Sequence, residues 1–189
     1  MRVFLEDLDV YAFRLGLPRW MSFFMVFLYP ATWAIGVYRF GNFIVKMRII
    51  GIKHVLFVFY FILKRLSEIL TGIEIAADAE ISKGLFIGHL GGVIIGTGSK
   101  IGRYSSFHEG VTIGGAGRGR DHGSPSIGDF VYFGAGAKVI GRITIGNNVV
   151  IGANAAVVKS FPDDVSVAGV PAKIVSQNGA EDYIHYRKK

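Results

Sequence analysis

Apolar side chains return at every sixth position through the second half of the chain. From residue 127 to residue 157 each sixth residue is aliphatic or aromatic, and glycine or another small residue usually follows it. The same period runs upstream, with interruptions, through Ile75, Ile81, Ile87, Val93, Ile95, Ile101, Phe107 and Ile113. A period of six predicts a parallel β-helix, in which each short strand buries one apolar side chain inside a prism and then turns a corner.

Residues that tolerate positive φ stand where such a coil must turn. Gly128-Asp129, Gly146-Asn147-Asn148 and Gly152-Ala153-Asn154 follow the apolar positions, and glycine, asparagine and aspartate adopt left-handed backbone more readily than other residues. A glycine-rich β-sandwich, the alternative, needs a period of two and hairpin turns. Neither is present in this segment, so the pattern favours a coil.

Two interruptions break the six-residue period. One adds two residues between Val93 and Ile95, and the other adds eight between Ile113 and Ile127. The longer one is the glycine-rich segment 114–126, whose charged and histidine residues are Arg118, Arg120, Asp121 and His122. Loops that project from a rigid scaffold often carry function, so this segment is either an arm that covers a groove or a solvated basic loop.

The first 71 residues are apolar, aromatic and basic. Between Val10 and Gly72 there are eight lysine or arginine residues and one acidic residue, Glu68. The uncharged stretch 20–38 would be about 28 Å long as a helix, but Pro30 stands in its middle and breaks such a helix. The pattern favours a helical region on a membrane surface, with basic side chains near the headgroups. The alternative is an oligomer interface in a soluble protein.

The whole-chain composition limits the classes of function. The 189 residues carry a net charge of +7 and no cysteine, which excludes disulfides and thiol-ligated metal and suits a reducing cytoplasm. The basic residues do not form a stripe with stacking aromatic residues, so nucleic-acid binding is not predicted. The composition divides the chain into a membrane-associating helical region at 1–71, a β-helix domain at 72–175 and a polar tail at 176–189.

Counting turns of the coil predicts a reaction site. A triangular coil has about 18 residues in each turn, and His89, corrected for the interruptions, aligns with Glu109, Ala135 and Ala153. Neighbouring strands lie about 4.8 Å apart, which brings the Glu109 carboxylate within reach of His89. A carboxylate fixes the tautomer of an imidazole and stabilises the cation formed on proton uptake. The column therefore predicts a general base beside a groove lined by small residues.

Other roles for the histidines are weaker. His89 could be a polar corner residue without chemistry, and His108 belongs by counting to a separate column with Gly88, Gly134 and Gly152. No metal site is predicted, because the histidines of the coil and of the inserted loop lack the short spacing of metal ligands.

Five motifs carry a resemblance to a known family. They are GLFIGHLGGVIIG at 84–96, EGVTIGGAG at 109–117, IGDFVYFGAGAKVIG at 127–141, IGANAAVVKSFPDD at 151–164 and AGVPAKIV at 168–175. With these motifs the chain resembles the left-handed β-helix hexapeptide-repeat acyltransferases, and within them the serine acetyltransferase branch, over roughly residues 29–175. The resemblance implies acetyl transfer from acetyl-CoA, a homotrimer, and an active site between neighbouring prisms.

The resemblance also implies roles for individual residues. His89 matches the catalytic histidine that deprotonates the acceptor hydroxyl, Glu109 is predicted to orient it, and His122 is a further catalytic candidate. A lysine near the coenzyme phosphates would form charge-assisted contacts. The predicted coenzyme contacts are Gly115, Ala135, Ala153, Val158, Lys159 and Lys173.

Departures from the family pattern bear on the acceptor. Serine acetyltransferases have an aspartate before the catalytic histidine that helps to hold the substrate ammonium, and here that residue is Gly88. No acid occurs between Val10 and Glu68, where the family has a second one, and His122 is displaced relative to the following proline. An ammonium without a partner is costly in a partly buried site, which disfavours serine.

The sequence thus predicts a membrane-associated O-acetyltransferase that acts on a sugar hydroxyl of a glycan or lipid-linked polysaccharide intermediate. Its predicted location is the cytoplasmic face of the bacterial inner membrane, and it would resemble acetyltransferases of polysaccharide biosynthesis. Two alternatives stay open. One is a serine O-acetyltransferase with altered substrate anchors, and the other is an inactive β-helix scaffold.

Overall fold

Helices precede short strands along the chain. The structure is a computed structural model that describes residues 2–119 and 122–188. The α-helices are α1 (Arg2–Arg14), α2 (Met25–Leu28), α3 (Ala31–Lys46) and α4 (Ile50–Thr71), and 3-10 helices lie at Arg19–Phe24 and His185–Lys188.

The strands form the three sides of a coil. The first side has the order β1-β4-β7-β10-β13, the second has β2-β5-β8-β11, and the third has β3-β6-β9-β12-β14-β15. All neighbours are parallel except β14 and β15, which pair antiparallel. The strands are β1 (Ile73–Ile75), β2 (Glu80–Ile81), β3 (Phe86–Ile87), β4 (Val93–Ile95), β5 (Lys100–Ile101), β6 (Ser106–Phe107), β7 (Thr112–Gly114), β8 (Ser126–Ile127), β9 (Tyr132–Phe133), β10 (Lys138–Ile140), β11 (Thr144–Ile145), β12 (Val150–Ile151), β13 (Ala156–Val157), β14 (Ser166–Ala168) and β15 (Lys173–Ser176).

The apolar residues of the six-residue period fill the coil. On the third side Ile87, Phe107, Phe133 and Ile151 lie in register and have no exposed surface. Phe107 and Phe133 stack with ring centroids 4.4 Å apart. The predicted parallel β-helix with a helical N-terminal region is confirmed.

The shorter interruption lies in a corner and not inside a strand. Val93 and Ile95 belong to the same strand, β4, where they pair with Ile73 and Ile75 and are buried with them. The two extra residues therefore lengthen the corner 88–92 between the third and the first side. A three-residue strand buries both of its ends, which is why the period seemed to restart at Ile95.

The helices α1 and α3 cover the first turn of the coil. The Tyr11 hydroxyl accepts from the Ile87 N–H and donates to the Ile87 carbonyl, both at 3.0 Å. The Tyr38 hydroxyl donates to the Ala79 carbonyl at 2.8 Å and accepts from the Ile81 N–H at 3.1 Å. These bonds pair backbone groups that would otherwise be left at the edge of the first turn.

A buried ion pair joins the helices to the coil. The Asp7 side chain has no exposed surface, pairs with Arg39 at 2.9 Å, and accepts from the Gly84 and Leu85 N–H groups at 2.8 and 2.9 Å. Arg39 also donates to the Ile81 carbonyl. The prediction that the basic side chains of the helical region lie near lipid headgroups is therefore wrong for Arg39, because its guanidinium is bonded inside the protein.

The apolar helices share one hydrophobic core with the strands. Ile35 and Tyr38 of α3 are buried in the same cluster as the interior of the coil. Among the described residues no single helix has the length and composition of a membrane span. Within that described part of the chain one pair of segments, Arg19–Leu28 and Ala31–Lys46, meets these criteria when taken together, and the pair bends by 102° at the break between them. The division into regions at residues 71 and 175 stays a prediction.

Candidate functional site

The corner between the third and the first side brings the predicted column together. Ile87, Phe107, Phe133 and Ile151 are in register. At the corner that follows, the Gly136 N–H donates to the Glu109 carbonyl and the Asn154 N–H donates to the Ala135 carbonyl, which stacks Glu109, Ala135 and Ala153. In the turn below, the Gly110 N–H donates to the Gly91 carbonyl, so Gly91 and not His89 takes the backbone position next to Glu109. The His89 and Glu109 side chains are exposed, Ala135 is half-buried and Ala153 is exposed. We refer to His89, Glu109, Ala135 and Ala153 as the predicted column.

The lengthened corner lets His89 project from the coil. The offset between paired residues falls from 20 at Ile87 and Phe107 to 18 at Ile94 and Thr112, so the extra length lies around His89. Gly91 and Gly92 close this corner with φ values of 99° and 68°, which other residues rarely adopt.

A third side chain joins His89 and Glu109. The His89 and His108 ring centroids are 5.7 Å apart, and the donor atoms of His89, His108 and Glu109 all lie within 4.8 Å of one another. We call these three residues the corner cluster. Three such groups at this spacing could also hold a metal ion, a capacity that ligand spacing along the sequence does not reveal.

His108 is the member of the cluster that sequence counting undervalued. Its column is separate, as predicted, but its ring turns toward His89 and also lies 5.0 Å from the Tyr132 ring. The His108 Nε2 atom is buried and has no hydrogen-bond partner among the described residues. The available sequence signal was the dipeptide His108-Glu109, which places two polar groups at one corner.

Burial lowers the pKa of His108 below its ordinary value of 6.5. The negative charge of Glu109 opposes this shift, and the neighbouring His89 and Arg14 add to it. His108 is therefore neutral at pH 7, with an imidazole nitrogen available to accept or donate a hydrogen bond.

We expect the lowered pKa of His108 to appear both in its titration and in stability. As pH falls below 6.5 the unfolded chain takes up this proton before the native protein does, so the free energy of unfolding decreases through the native pKa. The stabilisation that the lowered pKa of His108 provides is fully present above pH 6.5. NMR of the imidazole C–H signals measures the native pKa, and urea unfolding at several pH values measures the effect.

The matched control for this titration is His108→Gln, which should lack this part of the pH dependence. A native His108 titration midpoint at or above 6.5 would contradict the expectation.

The coenzyme candidates divide between two corners. Gly115 follows β7, and Val158 and Lys159 follow β13. All three therefore lie at the end of the first side that is farther from His89. The Lys159 Nζ lies 5.5 Å from the centroid of the Phe161 ring. Lys173 is exposed at the start of β15, where it pairs with Ala168. Ala135 and Ala153 lie at the corner of His89 instead.

The inserted loop folds back at the corner of Gly115. Ala116 and Gly123 exchange two backbone hydrogen bonds, and the Ser124 hydroxyl donates to the Thr97 carbonyl at 2.7 Å. His122 is exposed and does not belong to the corner cluster. The candidates Arg120 and Asp121 lie outside the described residues.

The position next to His89 holds no carboxylate. Gly88 is half-buried, and a Cβ placed on it would lie 3.2 Å from Phe86 Cε1 and 3.7 Å from His108 Nδ1. A Cβ there would require a small shift of the Phe86 ring, and the atoms nearest to it belong to side chains and not to the backbone.

Comparisons with known proteins agree on one family. Residues 124–159 match the family model described as bacterial transferase hexapeptide (six repeats). The chain is 39% identical over 157 residues to a serine acetyltransferase of Helicobacter pylori, covering 82% of this chain and 86% of that protein. It is 36% identical over 151 residues to one of Synechococcus elongatus, covering 80% of this chain and 59% of that protein.

A solved structure is similar over nearly the whole chain. It is the serine acetyltransferase of Brucella abortus in complex with coenzyme A, with a TM-score of 0.78 and 30% identity, covering 94% of this chain and 68% of that one. Coverage of this extent includes most of the apolar helical region.

These comparisons overturn the predicted membrane-associated glycan O-acetyltransferase. The relatives are named serine acetyltransferases, and the finer likeness to polysaccharide-biosynthesis enzymes has no support. The predicted place at the inner membrane is wrong for a related reason. The helices that suggested lipid contact align with the serine acetyltransferase structure, and side chains such as Ile35 and Tyr38 are buried against the coil.

Proposed function

Because the chain belongs to the hexapeptide-repeat transferases, in the serine acetyltransferase branch, we propose that it transfers the acetyl group of acetyl-CoA to the serine hydroxyl. The observation that carries this proposal is the corner cluster, in which His89, His108 and Glu109 lie within 4.8 Å of one another. An imidazole beside a carboxylate suits the deprotonation of a hydroxyl nucleophile.

His89 is the general base in the proposed reaction. It takes the proton of the serine hydroxyl as the oxygen attacks the thioester carbonyl carbon, and Glu109 stabilises the imidazolium that forms. The tetrahedral intermediate then collapses, its C–S bond breaks, and the imidazolium gives the proton to the leaving sulfur. Backbone N–H groups of the glycine-rich corners could stabilise the oxyanion.

We assign His108 a positioning role beside this base. Its lowered pKa keeps the ring neutral, and its buried Nε2 has no hydrogen-bond partner among the described side chains. A buried ring nitrogen without a partner is stabilised when the hydroxyl of a bound substrate forms a hydrogen bond with it. His108 would thereby hold the acceptor hydroxyl toward His89.

The coenzyme would lie along the first side of the coil. In this proposal the small residues Ala135 and Ala153 leave room for the pantetheine arm near His89. Gly115 would contact the coenzyme at the opposite corner, where it packs beside Ser124 of the inserted loop. Val158 would contact the arm, and the exposed cations of Lys159 and Lys173 would pair with the phosphates. The serine acetyltransferase structure solved with coenzyme A supports a coenzyme of this class.

The ammonium of serine needs a carboxylate that Gly88 does not provide. Glu109 is the acidic member of the corner cluster, and its side chain is exposed. We propose that Glu109 faces the substrate ammonium as well as the imidazole. This arrangement makes the anchor depend on one acid where the resemblance implies two.

The direct test is an acetyl transfer assay on the purified chain. With acetyl-CoA and serine we expect release of the CoA thiol and a product heavier than serine by one acetyl group. O-Methylserine, which has no free hydroxyl, is the matched control. Binding of acetyl-CoA without any O-acetylserine formation would exclude serine as the acceptor.

We expect Gly88→Asp to lower the KM for serine. The new carboxylate would face the ammonium, and a partly exposed ion pair contributes up to about 1 kcal/mol, or about fivefold in KM. Initial rates at varied serine concentration measure the change. Gly88→Asn is the control of equal size without charge, and equal KM values for the two variants would show that the ammonium does not lie beside residue 88.

We propose a homotrimer, which the family resemblance implies. Two features support an assembly: the corner cluster lies open at the surface, and α4 exposes many apolar side chains. Light scattering coupled to gel filtration measures the assembly directly. The exposed apolar residues of α4 are Ile52, Val55, Phe57, Val58, Phe59, Phe61, Ile62, Leu66, Ile69 and Leu70.

A further inference from the structure

A cavity lies at the opposite end of the third side from the corner cluster. It has a volume of about 380 Å³ and is bounded by α1, by the beginnings of β3 and β6, and by the C-terminal tail. We call it the Arg14 cavity. Among the residues that line it are Phe13, Arg14, Phe86, Tyr104, Ser106 and Tyr186.

Its walls are largely aromatic. Tyr186 of the C-terminal tail lies edge-on to Phe13 at 5.1 Å and is tilted against Tyr104 at 5.0 Å. The tail is held by Ala180 and Ile184, which are buried against Val150. Concave sites of this size with a few polar groups among aromatic walls are typical of small-molecule binding.

Arg14 is the cation of this cavity, and its position is fixed. Its guanidinium carbon lies 3.7 Å from the centroid of the Phe86 ring, and its Nη2 donates to the Ser106 hydroxyl at 3.1 Å. Both contacts leave guanidinium N–H groups available, and the side chain is exposed. The neighbouring side chains still exclude enough water to lower the pKa of Arg14 through desolvation.

No carboxylate neutralises Arg14 within the described part of the chain. The other arginines of the helical region differ in this respect, since Arg19 pairs with Asp9 at 2.7 Å and Arg39 pairs with Asp7 at 2.9 Å. The nearby Glu6 lies 3.6 Å from Arg19 and 3.7 Å from Lys83. Asp7, Asp9 and Glu6 therefore have other cations as partners.

We propose that the Arg14 cavity binds a small organic anion, with its carboxylate or phosphate on Arg14 and its ring or apolar body against the aromatic walls. A guanidinium held by stacking loses little freedom when it binds an anion, and its planar fork matches both anions. The Ser106 hydroxyl offers a second polar contact.

This site is separate from the proposed reaction. None of the three residues of the corner cluster lines the Arg14 cavity, although the charge of Arg14 contributes to the lowered pKa of His108. A ligand on Arg14 thus leaves the atoms of the corner cluster free, and its binding can be measured without acetyl-CoA or serine. Failure of either proposal would leave the other intact.

The test uses benzoate, phenyl phosphate and benzyl alcohol as probes of the full chain at pH 7, with affinity measured by calorimetry. We expect at least one anion to bind, and benzyl alcohol to bind at least tenfold more weakly. The stronger of the two anions identifies the preferred group. Arg14→Gln should weaken anion binding at least tenfold, whereas Arg48→Gln, which changes an exposed arginine outside the cavity, should leave it unchanged.

Three results would overturn the proposal. They are the absence of anion binding up to about 10 mM, equal affinities of wild type and Arg14→Gln, and equal losses in Arg14→Gln and Arg48→Gln. If Arg14→Gln does not fold, Arg14→Lys keeps the charge without the fork and should show intermediate affinity. In wild type, benzoate should shift the Arg14 side-chain N–H signal in NMR and benzyl alcohol should not.

Discussion

His89→Ala should lower kcat for serine acetylation by about two to four orders of magnitude, the usual contribution of a general base. The affinity for acetyl-CoA should change by no more than about twofold, because the loss concerns the transition state and not binding of the coenzyme. The His89 side chain is exposed at the lengthened corner, so its removal should leave the fold intact.

Stopped assays over a range of serine concentrations measure kcat, and calorimetry with acetyl-CoA measures binding. His54→Ala is the matched control, because His54 is an exposed histidine of α4 outside the corner cluster. If His89→Ala retained its kcat while His108→Ala lost it, the base would be His108 and the assignment of roles within the cluster would be reversed.

Phe107→Ala should lower the free energy of unfolding by about 3–5 kcal/mol, since it removes a large side chain from a closed interior. Phe107 has no exposed surface and stacks on Phe133 at 4.4 Å. The walls of the coil are hydrogen-bonded strands on three sides, which restricts their collapse into the space left behind.

Urea unfolding followed by circular dichroism measures this loss. Phe43→Ala is the control on an exposed phenylalanine of α3, whose side chain is 61% accessible, and we expect its effect to be below about 1 kcal/mol. A loss for Phe107→Ala as small as that of the control would mean that the interior relaxes around the gap.

Much of the coil could be predicted from the sequence because its physics is local. Each side of the prism buries one residue, so a six-residue period marks the interior directly. The column of His89, Glu109, Ala135 and Ala153 follows from counting along that period. The backbone bonds stack Glu109, Ala135 and Ala153 as counted, whereas His89 lies in the lengthened corner and comes near Glu109 through its side chain. What counting missed was the location of the extra residues at 88–92, since a strand with two buried ends resembles a restart of the period.

The surface that covers the apolar helices could not be predicted in the same way. A hydrophobic pattern reports that a surface avoids water, but it does not say whether lipid, a partner or the same chain covers it. Here the coil covers part of it, through hydrogen bonds from Tyr11 and Tyr38 and through the Asp7 and Arg39 pair. These partners are 32 to 76 residues apart in the chain, beyond any local pattern.

The acceptor prediction failed for a related reason. The absence of an acid at Gly88 is a local fact, and the inference from it to a sugar acceptor used Glu109 only as the partner of His89 and not as an anchor for the substrate ammonium. Glu109 comes from the next turn and lies within 4.8 Å of His89. In the sequence pattern Arg14 is likewise one of eight basic residues between Val10 and Gly72. Its contacts with Phe86 and Ser106 distinguish it from the arginines that pair with carboxylates.

The amino-acid sequence by itself determined the β-helix and its buried positions, because these depend on spacing along the chain. Only the tertiary structure decided that His108 turns toward His89, that the helices cover the first turn, and that α1 and the tail enclose Arg14. Those contacts join residues from different turns and distant helices, and their geometry is set by packing between elements and not by any repeat within them.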